Sequence, residues 1–263
     1  LYDVARIPFP AAGQEQATFD AIEAACRMGD VAALIVEPLV LGAGGMLIYS
    51  PAALAEMARI TRHHGALLIA DEVMTGWGRT GTLFACEQAG ISPDLLCMAK
   101  GLTGGAVPLA ATLASEEIFA SHYSQDRNKT FFHSSSYTAN PIACAAGLAN
   151  VEIWRSEPVM QQIAALTDMQ RLQLAATNTD DAFTNARQIG TITALDIAVP
   201  DGGYLAGIGP KLQSQFLARG VLLRPLGNTV YVMPPYCIST DDLKQVYRAI
   251  RSGEAAARAE LDP

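Results

Sequence analysis

Residues 67–105 decide the fold, and their sequence is LLIADEVMTGWGRTGTLFACEQAGISPDLLCMAKGLTGG. This stretch predicts two short apolar strands, LLIA and DLLCMA, and an ionisable residue follows each of them: Asp71 after the first and Lys100 after the second. In an open parallel sheet, ligands bind in the crevice just outside the carboxyl ends of the strands. We therefore expect the side chains of Asp71 and Lys100 to face one site.

An amine and a carboxylate at such a site suit the chemistry of pyridoxal phosphate. A lysine that has lost its proton can form a Schiff base with the carbonyl of this cofactor. A nearby carboxylate keeps the pyridine nitrogen protonated, which the cofactor needs in order to accept electrons. The residues alone leave a second interpretation open, in which Asp71 and Lys100 form a buried ion pair that joins two strands.

The run that begins at Asp71, DEVMTGWGRTGTLFACEQAGISPDLLCMAKGLTGG, closely resembles the cofactor-binding core of the class III, fold type I, aminotransferases. The resemblance extends over about residues 31–250. It implies an α/β fold with a mostly parallel sheet and helices on both faces, followed by a smaller α/β C-terminal domain. It also implies a pyridoxal phosphate-dependent transferase in which Lys100 carries the cofactor, Asp71 contacts the ring nitrogen and Val73 packs against the ring.

Within this class, the chain looks most like the members that serve biotin biosynthesis. That resemblance implies S-adenosylmethionine as the amino donor and 8-amino-7-oxononanoate as the acceptor. Arg224 then binds the carboxylate of the acceptor, a task that suits a planar guanidinium. Tyr231 and position 135, which is Ser135 in this chain, are the other expected substrate-binding residues. On the residues alone, an intradomain salt bridge for Arg224 and a core position for Tyr231 stay open.

The polar loop TFFHSSSYTANP (residues 130–141) contains Ser136. The resemblance implies that Ser136 reaches across a subunit interface to the phosphate of the neighbouring subunit's cofactor, so that the active unit is a homodimer with shared active sites. A hydroxyl group is a suitable donor to a phosphate oxygen. The other interpretation of this loop is a set of ordinary solvated residues.

Two departures from the family leave other functions open. The glycine/serine loop that holds the cofactor phosphate belongs to the first third of the family's chain, and this sequence shows no counterpart of that third. Leu41 stands where the family usually has glutamine. We keep two alternatives: another class III aminotransferase that uses an omega-amine or a diamine, and an inactive fragment without the phosphate-binding loop.

The segment GWGRTG (residues 76–81) matches the GxGxxG pattern of dinucleotide-binding proteins and follows a predicted strand. Two features argue against that function. The acidic pair Asp71-Glu72 just before the glycines would repel a pyrophosphate, and a following helix can extend only to about Gly90. The resemblance makes GWGRTG an active-site loop instead.

The composition favours a folded enzyme. Half of the 263 residues are hydrophobic and 17% are charged, which argues against disorder. The net charge of -8 argues against nucleic acid as a partner. No apolar run approaches the roughly 18 residues that cross a bilayer, so we expect no membrane segment. Five cysteines without a CxxC pair, and histidines without metal-ligand spacing, predict a cytoplasmic protein without a metal site.

The sequence predicts two domains with a boundary near residues 155–158. Residues 1–156 are expected to form part of the large cofactor-binding domain, whose N-terminal portion has no counterpart here, and residues 157–263 the small C-terminal domain. In the large domain, the apolar run VAALIVEP (residues 31–38) predicts a strand that is covered on both faces.

In the small domain, residues 186–199 predict one strand, and residues 221–235 predict two strands around a turn at Gly227-Asn228. Arg224 would end the first of these two strands. Thr240 is predicted to cap the last helix, and Ser50 is predicted to cap the helix of the large domain that has Pro51 at its first position.

Overall fold

The computed structural model describes residues 3–133, 135–179 and 181–260. In chain order, its helices and strands are α1 (Glu15–Cys26), β1 (Ala33–Val36), β2 (Val40–Leu41), β3 (Leu47–Ile48), α2 (Pro51–His63), β4 (Leu67–Asp71), β5 (Leu95–Met98), β6 (Ala111–Ala114), α3 (Glu116–His122), α4 (Pro141–Ser156), α5 (Val159–Thr177), β7 (Phe183–Ile189), β8 (Ile192–Ile197), α6 (Ile208–Ala218), β9 (Thr229–Val232) and α7 (Thr240–Ala259). Short 3₁₀ turns cover Ala85–Ala89, Lys100–Thr103 and Arg127–Lys129.

The chain forms two compact units. Unit 1 comprises Leu1–Leu39, Tyr49–Trp77 and Thr82–Glu157, and unit 2 comprises Val40–Ile48, Gly78–Gly81 and Pro158–Pro263. Two short segments, 40–48 and 78–81, thus belong to unit 2 although their neighbours in sequence belong to unit 1. The assignment of a cofactor-binding domain and a small domain stays a prediction.

Unit 1 contains a four-stranded sheet in the order β1-β4-β5-β6. β1 pairs parallel with β4, β4 pairs parallel with β5, and β5 pairs antiparallel with β6. The predicted α/β class with a mostly parallel sheet is therefore confirmed. Because β4 and β5 are parallel neighbours, Asp71 at the end of β4 and Lys100 just after β5 lie at the same edge of the sheet.

The two faces of this sheet differ in exposure. Leu68 and Ala70 of β4 are fully buried on one face. On the other face, Ile35 of β1 is 63% exposed, and its neighbour Ile69 is half-buried. The prediction that β1 is covered on both faces is therefore wrong for the described residues. An apolar run shows that a strand can be covered, but it does not show which part of a protein supplies the covering layer.

Two helix starts test the capping predictions. At α2, the Ser50 hydroxyl accepts a hydrogen bond from the N–H of Ala53 at 3.1 Å, as expected for an N-cap. At α7, Ser239 is the cap, because its Oγ accepts from the N–H of Asp242 at 3.1 Å. The prediction of Thr240 as the cap is therefore wrong by one residue, since Ser239 precedes Asp242 by the three positions that this bond requires.

Unit 2 contains an antiparallel sheet in the order β7-β8-β9. The single strand predicted for residues 186–199 is wrong, because the chain reverses between β7 and β8 at Gly190, which has a φ of 50°. A Cβ atom on Gly190 would collide with the backbone of Thr80 and Gly81. Glycine is therefore needed at this reversal.

The two strands predicted around Gly227-Asn228 are a single strand, β9. Residues 221–225 have no described strand as a partner, and only Leu226 forms an isolated bridge, to Thr229. Pro225 lacks an N–H group, so it cannot donate to a ladder at this point.

The core of unit 2 combines side chains from its sheet with side chains from α5, α6 and α7. Its largest fully buried members are Tyr247, Phe216, Leu166, Ile197, Ile208 and Leu212. Across the described part of the chain, no helix is long and apolar enough to cross a membrane.

Candidate active site

Asp71 is the last residue of β4 and pairs in register with Cys97 of β5. Its Oδ1 accepts a hydrogen bond from the backbone N–H of Val73 at 3.1 Å, which holds this oxygen against the turn. Its other oxygen, Oδ2, has no hydrogen-bond partner in the described residues. Asp71 and Val73 are both half-buried, so a ligand can reach them.

The neighbouring carboxylate, Glu72, has a different environment. It is fully buried, and its Oε2 accepts hydrogen bonds from the Thr75 hydroxyl at 2.8 Å and the N–H of Ala85 at 2.9 Å. Its Oε1 accepts from the N–H of Cys86 at 2.9 Å. Burial, together with the charge of Glu72, raises the pKa of the Cys86 thiol. Glu72 thus joins the end of β4 to the following 3₁₀ turn. This role was not predicted, because the sequence does not distinguish Glu72 from the adjacent acidic residue Asp71.

Lys100 begins the 3₁₀ turn after β5, and it is exposed. Its φ of 40° lies in the left-handed region, which L-residues rarely adopt. Gly104 and Gly105 complete the turn with φ of 61° and 82°. No ion pair joins Lys100 to Asp71 in the described residues, so the interpretation as a strand-joining ion pair is wrong.

Trp77 packs on the turn that carries Lys100. A Cβ atom on Gly101 would lie 2.6 Å from the Cβ of Trp77, so only glycine permits this approach. The indole also makes edge-to-face contacts with Phe84 and Trp154, with ring centroids 6.3 and 5.7 Å away. Sequence reasoning did not single out Trp77, although its place between two glycines of GWGRTG is a signal for a close contact.

The GWGRTG segment lacks the geometry of a dinucleotide site. That motif opens an α-helix whose N-terminus binds the pyrophosphate, whereas the chain here enters the 3₁₀ turn Ala85–Ala89. Within unit 2, Arg79 of this segment donates from Nη1 to the carbonyl of Pro234 at 2.6 Å. Its guanidinium carbon lies 4.8 Å from the centroid of the Tyr236 ring, a cation–π distance.

The glycine-rich turn after Leu41 is held by hydrogen bonds within unit 2. The side chain of Leu41 packs over Gly44, since a Cβ atom there would lie 2.5 Å from Leu41 Cδ2. Arg187 donates from Nε to the carbonyl of Met46 at 2.9 Å and from Nη2 to that of Gly45 at 2.6 Å. Arg187 was not predicted, because a bond between residues so distant in sequence leaves no local pattern.

Ser135 and Ser136 lie on an exposed turn of unit 1. The Ser135 hydroxyl accepts from the N–H of Tyr137 at 3.4 Å, and the Ser136 hydroxyl has no partner in the described residues. Both hydroxyls are accessible, and the roles expected of them stay predictions.

Arg224 and Tyr231 belong to unit 2. Arg224 is exposed and follows no strand, so its predicted place at a strand end is wrong. It forms no ion pair with a described residue, so the alternative of an intradomain salt bridge is wrong as well. Tyr231 is half-buried in β9, opposite Ala194 of β8. Substrate binding by Arg224 and Tyr231 stays a prediction.

Among the residues that the structure describes, no group of three or more His, Cys, Asp or Glu side chains could hold a metal ion. An accessible amine, a carboxylate and an apolar side chain at one sheet edge are instead the donor set of a pyridoxal phosphate-dependent enzyme. The chain belongs to the family of class-III aminotransferases, whose family model matches residues 2–252. Members of this family use pyridoxal phosphate, so the predicted family and cofactor are confirmed.

Proteins from several organisms are similar to this chain in sequence. The adenosylmethionine-8-amino-7-oxononanoate aminotransferase of Synechococcus elongatus is 44% identical over 258 residues, which cover 95% of this chain and 60% of the relative. The enzyme of that name from Helicobacter pylori is 37% identical over 221 residues, which cover 82% of this chain and 50% of the relative. This chain therefore spans between 50% and 60% of the length of these two relatives.

Solved structures resemble most of the chain. The adenosylmethionine-8-amino-7-oxononanoate aminotransferase of Methanocaldococcus jannaschii matches with a TM-score of 0.82 at 28% identity, over 89% of this chain and 57% of that chain. A thermostable (S)-enantioselective omega-transaminase from Thermomicrobium roseum matches with a TM-score of 0.85 at 30% identity, over 94% of this chain and 56% of that chain.

Proposed function

We propose that the protein transfers an amino group from S-adenosylmethionine to 8-amino-7-oxononanoate, giving 7,8-diaminononanoate for biotin biosynthesis. The observation that carries the proposal is that Asp71 and Lys100 follow neighbouring parallel strands and form no ion pair with each other. Because neither group is engaged by the other, both stay available to a cofactor at this edge of the sheet. The 44% identity to a relative of this name supports the choice of substrates.

Three residues of unit 1 fit pyridoxal phosphate through the chemistry of their groups. The cofactor supplies a carbonyl carbon and a ring that accepts electrons. Lys100 Nζ is an accessible primary amine that would hold the cofactor and could move the proton at the donor's α carbon. Asp71 Oδ2 would accept the N–H of the cofactor's ring and so keep the ring nitrogen protonated. Val73 offers an apolar surface to the ring.

We assign acceptor-binding roles to Arg224 and Tyr231 of unit 2 and, as a separate assignment, to Ser135 of unit 1. The Arg224 guanidinium is exposed and has no ion pair in the described residues, so its donors are available to a carboxylate. Tyr231 adds a hydroxyl on a half-buried ring, and the Ser135 side chain is accessible.

We propose that the active unit is a homodimer with shared active sites. The part of unit 1 that includes α3 and the loop after it exposes several aromatic rings, and such patches are typical of protein interfaces. They are 55–81% exposed and comprise Phe119, Tyr123, Phe131, Phe132 and Tyr137. Ser136 lies in the same segment, which supports its role toward the phosphate of a partner's cofactor.

We propose a cytoplasmic location. All five cysteines are free, and Cys144 and Cys237 are exposed. Exposed unpaired thiols persist in a reducing compartment.

Borohydride reduction in the presence of pyridoxal phosphate, followed by intact mass and peptide mapping, tests the proposal. Reduction makes a link between an amine and the cofactor permanent, so we expect an adduct on Lys100. An adduct on Lys129, Lys211 or Lys244 instead would contradict the assignment. The absence of any adduct would favour an inactive fragment.

A second candidate function is transamination with an omega-amine or a diamine as donor. It is favoured by the Thermomicrobium roseum omega-transaminase, which matches this chain with a TM-score of 0.85, against 0.82 for the Methanocaldococcus jannaschii enzyme. A donor screen separates the two candidates. Turnover with simple diamines and none with S-adenosylmethionine would overturn the first proposal.

A further inference from the structure

We infer that Asn150 is a positioning residue for Lys100, an inference that rests on the proposed function. Asn150 lies on α4 and is only 9% exposed. Its side-chain Nδ2 donates hydrogen bonds to the carbonyl oxygens of Gly101 at 2.9 Å and of Leu102 at 3.2 Å. Gly101 and Leu102 directly follow Lys100, so a side chain from a distant helix holds the turn that carries the amine.

The turn needs this support because the backbone of Lys100 has an unfavourable conformation. A non-glycine residue with a φ of 40° persists only where the surrounding structure holds it. Inside the turn, the N–H of Leu102 donates to Ala99 at 2.9 Å and the N–H of Gly105 to Lys100 at 3.0 Å. These bonds are local and join the turn only to itself. The bonds from Asn150 join it to the rest of unit 1.

Gly147 allows α4 to approach the turn. A Cβ atom on Gly147 would lie 3.3 Å from the side chain of Leu109 and 3.7 Å from the carbonyl oxygen of Leu102. Asn150 follows Gly147 by three residues and therefore lies on the same face of the helix. A Cβ atom at 147 would therefore crowd Leu109 and come into ordinary van der Waals contact with a carbonyl that Asn150 binds.

An amide is the group that position 150 requires. Its two N–H groups can serve the two carbonyl oxygens, and the site is too buried for water to replace them freely. Aspartate has the same size but only acceptors, so its oxygens would face the carbonyls of Gly101 and Leu102 and repel them. A loosened turn would change the direction of the Cα–Cβ bond of Lys100 and displace Nζ from its reacting position.

The test compares the wild-type protein with Asn150→Asp, Asn150→Ala and a control, Asn140→Ala. Asn140 is the N-cap of the same helix, and its side chain also makes two hydrogen bonds, accepting from the N–H groups of Ile142 and Ala143. Hydrogen–deuterium exchange of the cofactor-free protein reports on the turn. The rate at which borohydride traps pyridoxal phosphate, measured over a range of cofactor concentrations, reports on Lys100.

In both Asn150 variants, amide exchange at residues 102–106 should be faster by about tenfold or more. The rate of pyridoxal phosphate trapping at saturating cofactor should be lower by about tenfold or more. The cofactor concentration at half-saturation should change by less than about twofold, because a displaced amine reacts slowly while the other cofactor contacts persist. Asn140→Ala should leave the exchange at residues 102–106 and the trapping rate within about twofold of wild type, since it loses only a helix cap.

The possible failures can be told apart. Unchanged exchange and trapping in both Asn150 variants, with a wild-type protein that forms the Lys100 adduct, would overturn this inference and leave the proposed function intact. A wild-type protein that forms no Lys100 adduct would overturn the proposed function. In that case, faster amide exchange at residues 102–106 in the Asn150 variants would still show that Asn150 stabilises the turn. Faster exchange throughout unit 1 would contradict a positioning role, because it would indicate a general loss of stability.

Discussion

The ends of β4 and β5 lie at the same edge of one sheet, but their charged side chains have different environments. After β4, the Glu72 carboxylate is fully buried and accepts three hydrogen bonds. After β5, the Lys100 amine is exposed and has no partner in the described residues. Asp71 is intermediate, with one carboxylate oxygen bonded to its own turn and the other available.

This difference separates groups that build the scaffold from groups that react. A buried polar group left unsatisfied costs about 1 to 3 kcal/mol, so the partners of Glu72 must lie within the chain. An exposed group carries no such cost and stays available to a ligand. The same distinction holds in unit 2, where Arg187 bonds to backbone carbonyls and to Asp196, whereas Arg224 is exposed without an ion pair in the described residues.

The largest effect is expected from Lys100→Ala. Loss of the amine should abolish attachment of pyridoxal phosphate and lower turnover by roughly 10,000-fold or more. The free energy of unfolding should change little, because the side chain is exposed. Trapping with borohydride, turnover assays and urea unfolding measure the three quantities. Lys129→Ala, at another exposed lysine of unit 1, is the control and should match wild type, and near-normal turnover of Lys100→Ala would refute the central assignment.

Asp71→Asn should have the next largest effect. The amide cannot hold the charge of a protonated ring nitrogen, so turnover should fall by roughly 100- to 1000-fold while the cofactor still attaches. Asp94→Asn is the matched control, because Asp94 Oδ2 accepts from the N–H of Leu68 at 2.7 Å and serves the sheet. The control should lose stability and retain its rate. Equal losses of rate in both variants would place Asp71 among the structural carboxylates.

Glu72→Gln tests the structural side of the comparison. One carboxylate oxygen becomes an NH₂ group that faces N–H or O–H donors, and the free energy of unfolding should fall by about 2 to 3 kcal/mol. Urea unfolding measures the change. The control is Glu87→Gln, which alters an exposed carboxylate that accepts a hydrogen bond from the N–H of Phe84. Its free energy of unfolding should fall by less than about 1 kcal/mol. Similar losses at both positions would show that burial does not distinguish them.

Arg224→Lys should have a smaller and more selective effect. A point charge replaces a planar fork, so the KM for the carboxylate-bearing acceptor should rise by about tenfold while the KM for the donor stays constant. Steady-state kinetics with each substrate varied measure both constants. Arg219→Lys, which changes a guanidinium bonded to Ser252 and Gln215, should alter neither KM. An unchanged acceptor KM in Arg224→Lys would show that the acceptor carboxylate binds elsewhere.

The parts of the fold that were predicted correctly depend on a few adjacent residues. Strand ends at Asp71 and Lys100, and the cap at Ser50, follow from local patterns. The failures depend on distant contacts. The exposure of Ile35 depends on what covers the sheet, and the reversal at Gly190 depends on the backbone of segment 78–81.

The candidate site shows the same limit. Its chemistry follows from residue types and from the family resemblance, whereas its supports do not. Glu72 accepts from Ala85, Trp77 packs against Gly101 and Asn150 donates to Gly101, and each of these partners is distant in the sequence. Trp77 has a local signal in its two flanking glycines, but nothing in the sequence around Glu72 or Asn150 distinguishes them from ordinary residues.

The smallest predicted effect concerns the conformation of Lys100 itself. Lys100→Gly and Lys100→Ala both remove the amine, but glycine accepts a φ of 40° without steric cost and alanine does not. The free energy of unfolding of Lys100→Gly should therefore exceed that of Lys100→Ala by about 1 kcal/mol, as urea unfolding of the pair can measure. The same pair at Lys129, which is not among the residues with a positive φ, should reverse the sign, because glycine there only adds entropy to the unfolded chain.

An alanine variant more stable than the glycine variant at position 100 would show that the left-handed conformation is not maintained, and would remove the reason for a hold by Asn150. The expected result, in which the glycine variant is more stable than the alanine variant, has a different meaning. It would show that the chain keeps a strained residue at a position where glycine would be more stable, because only a residue with an amine can react there. The strained conformation lowers the stability of the protein but places the amine where it can react, as is common at functional sites.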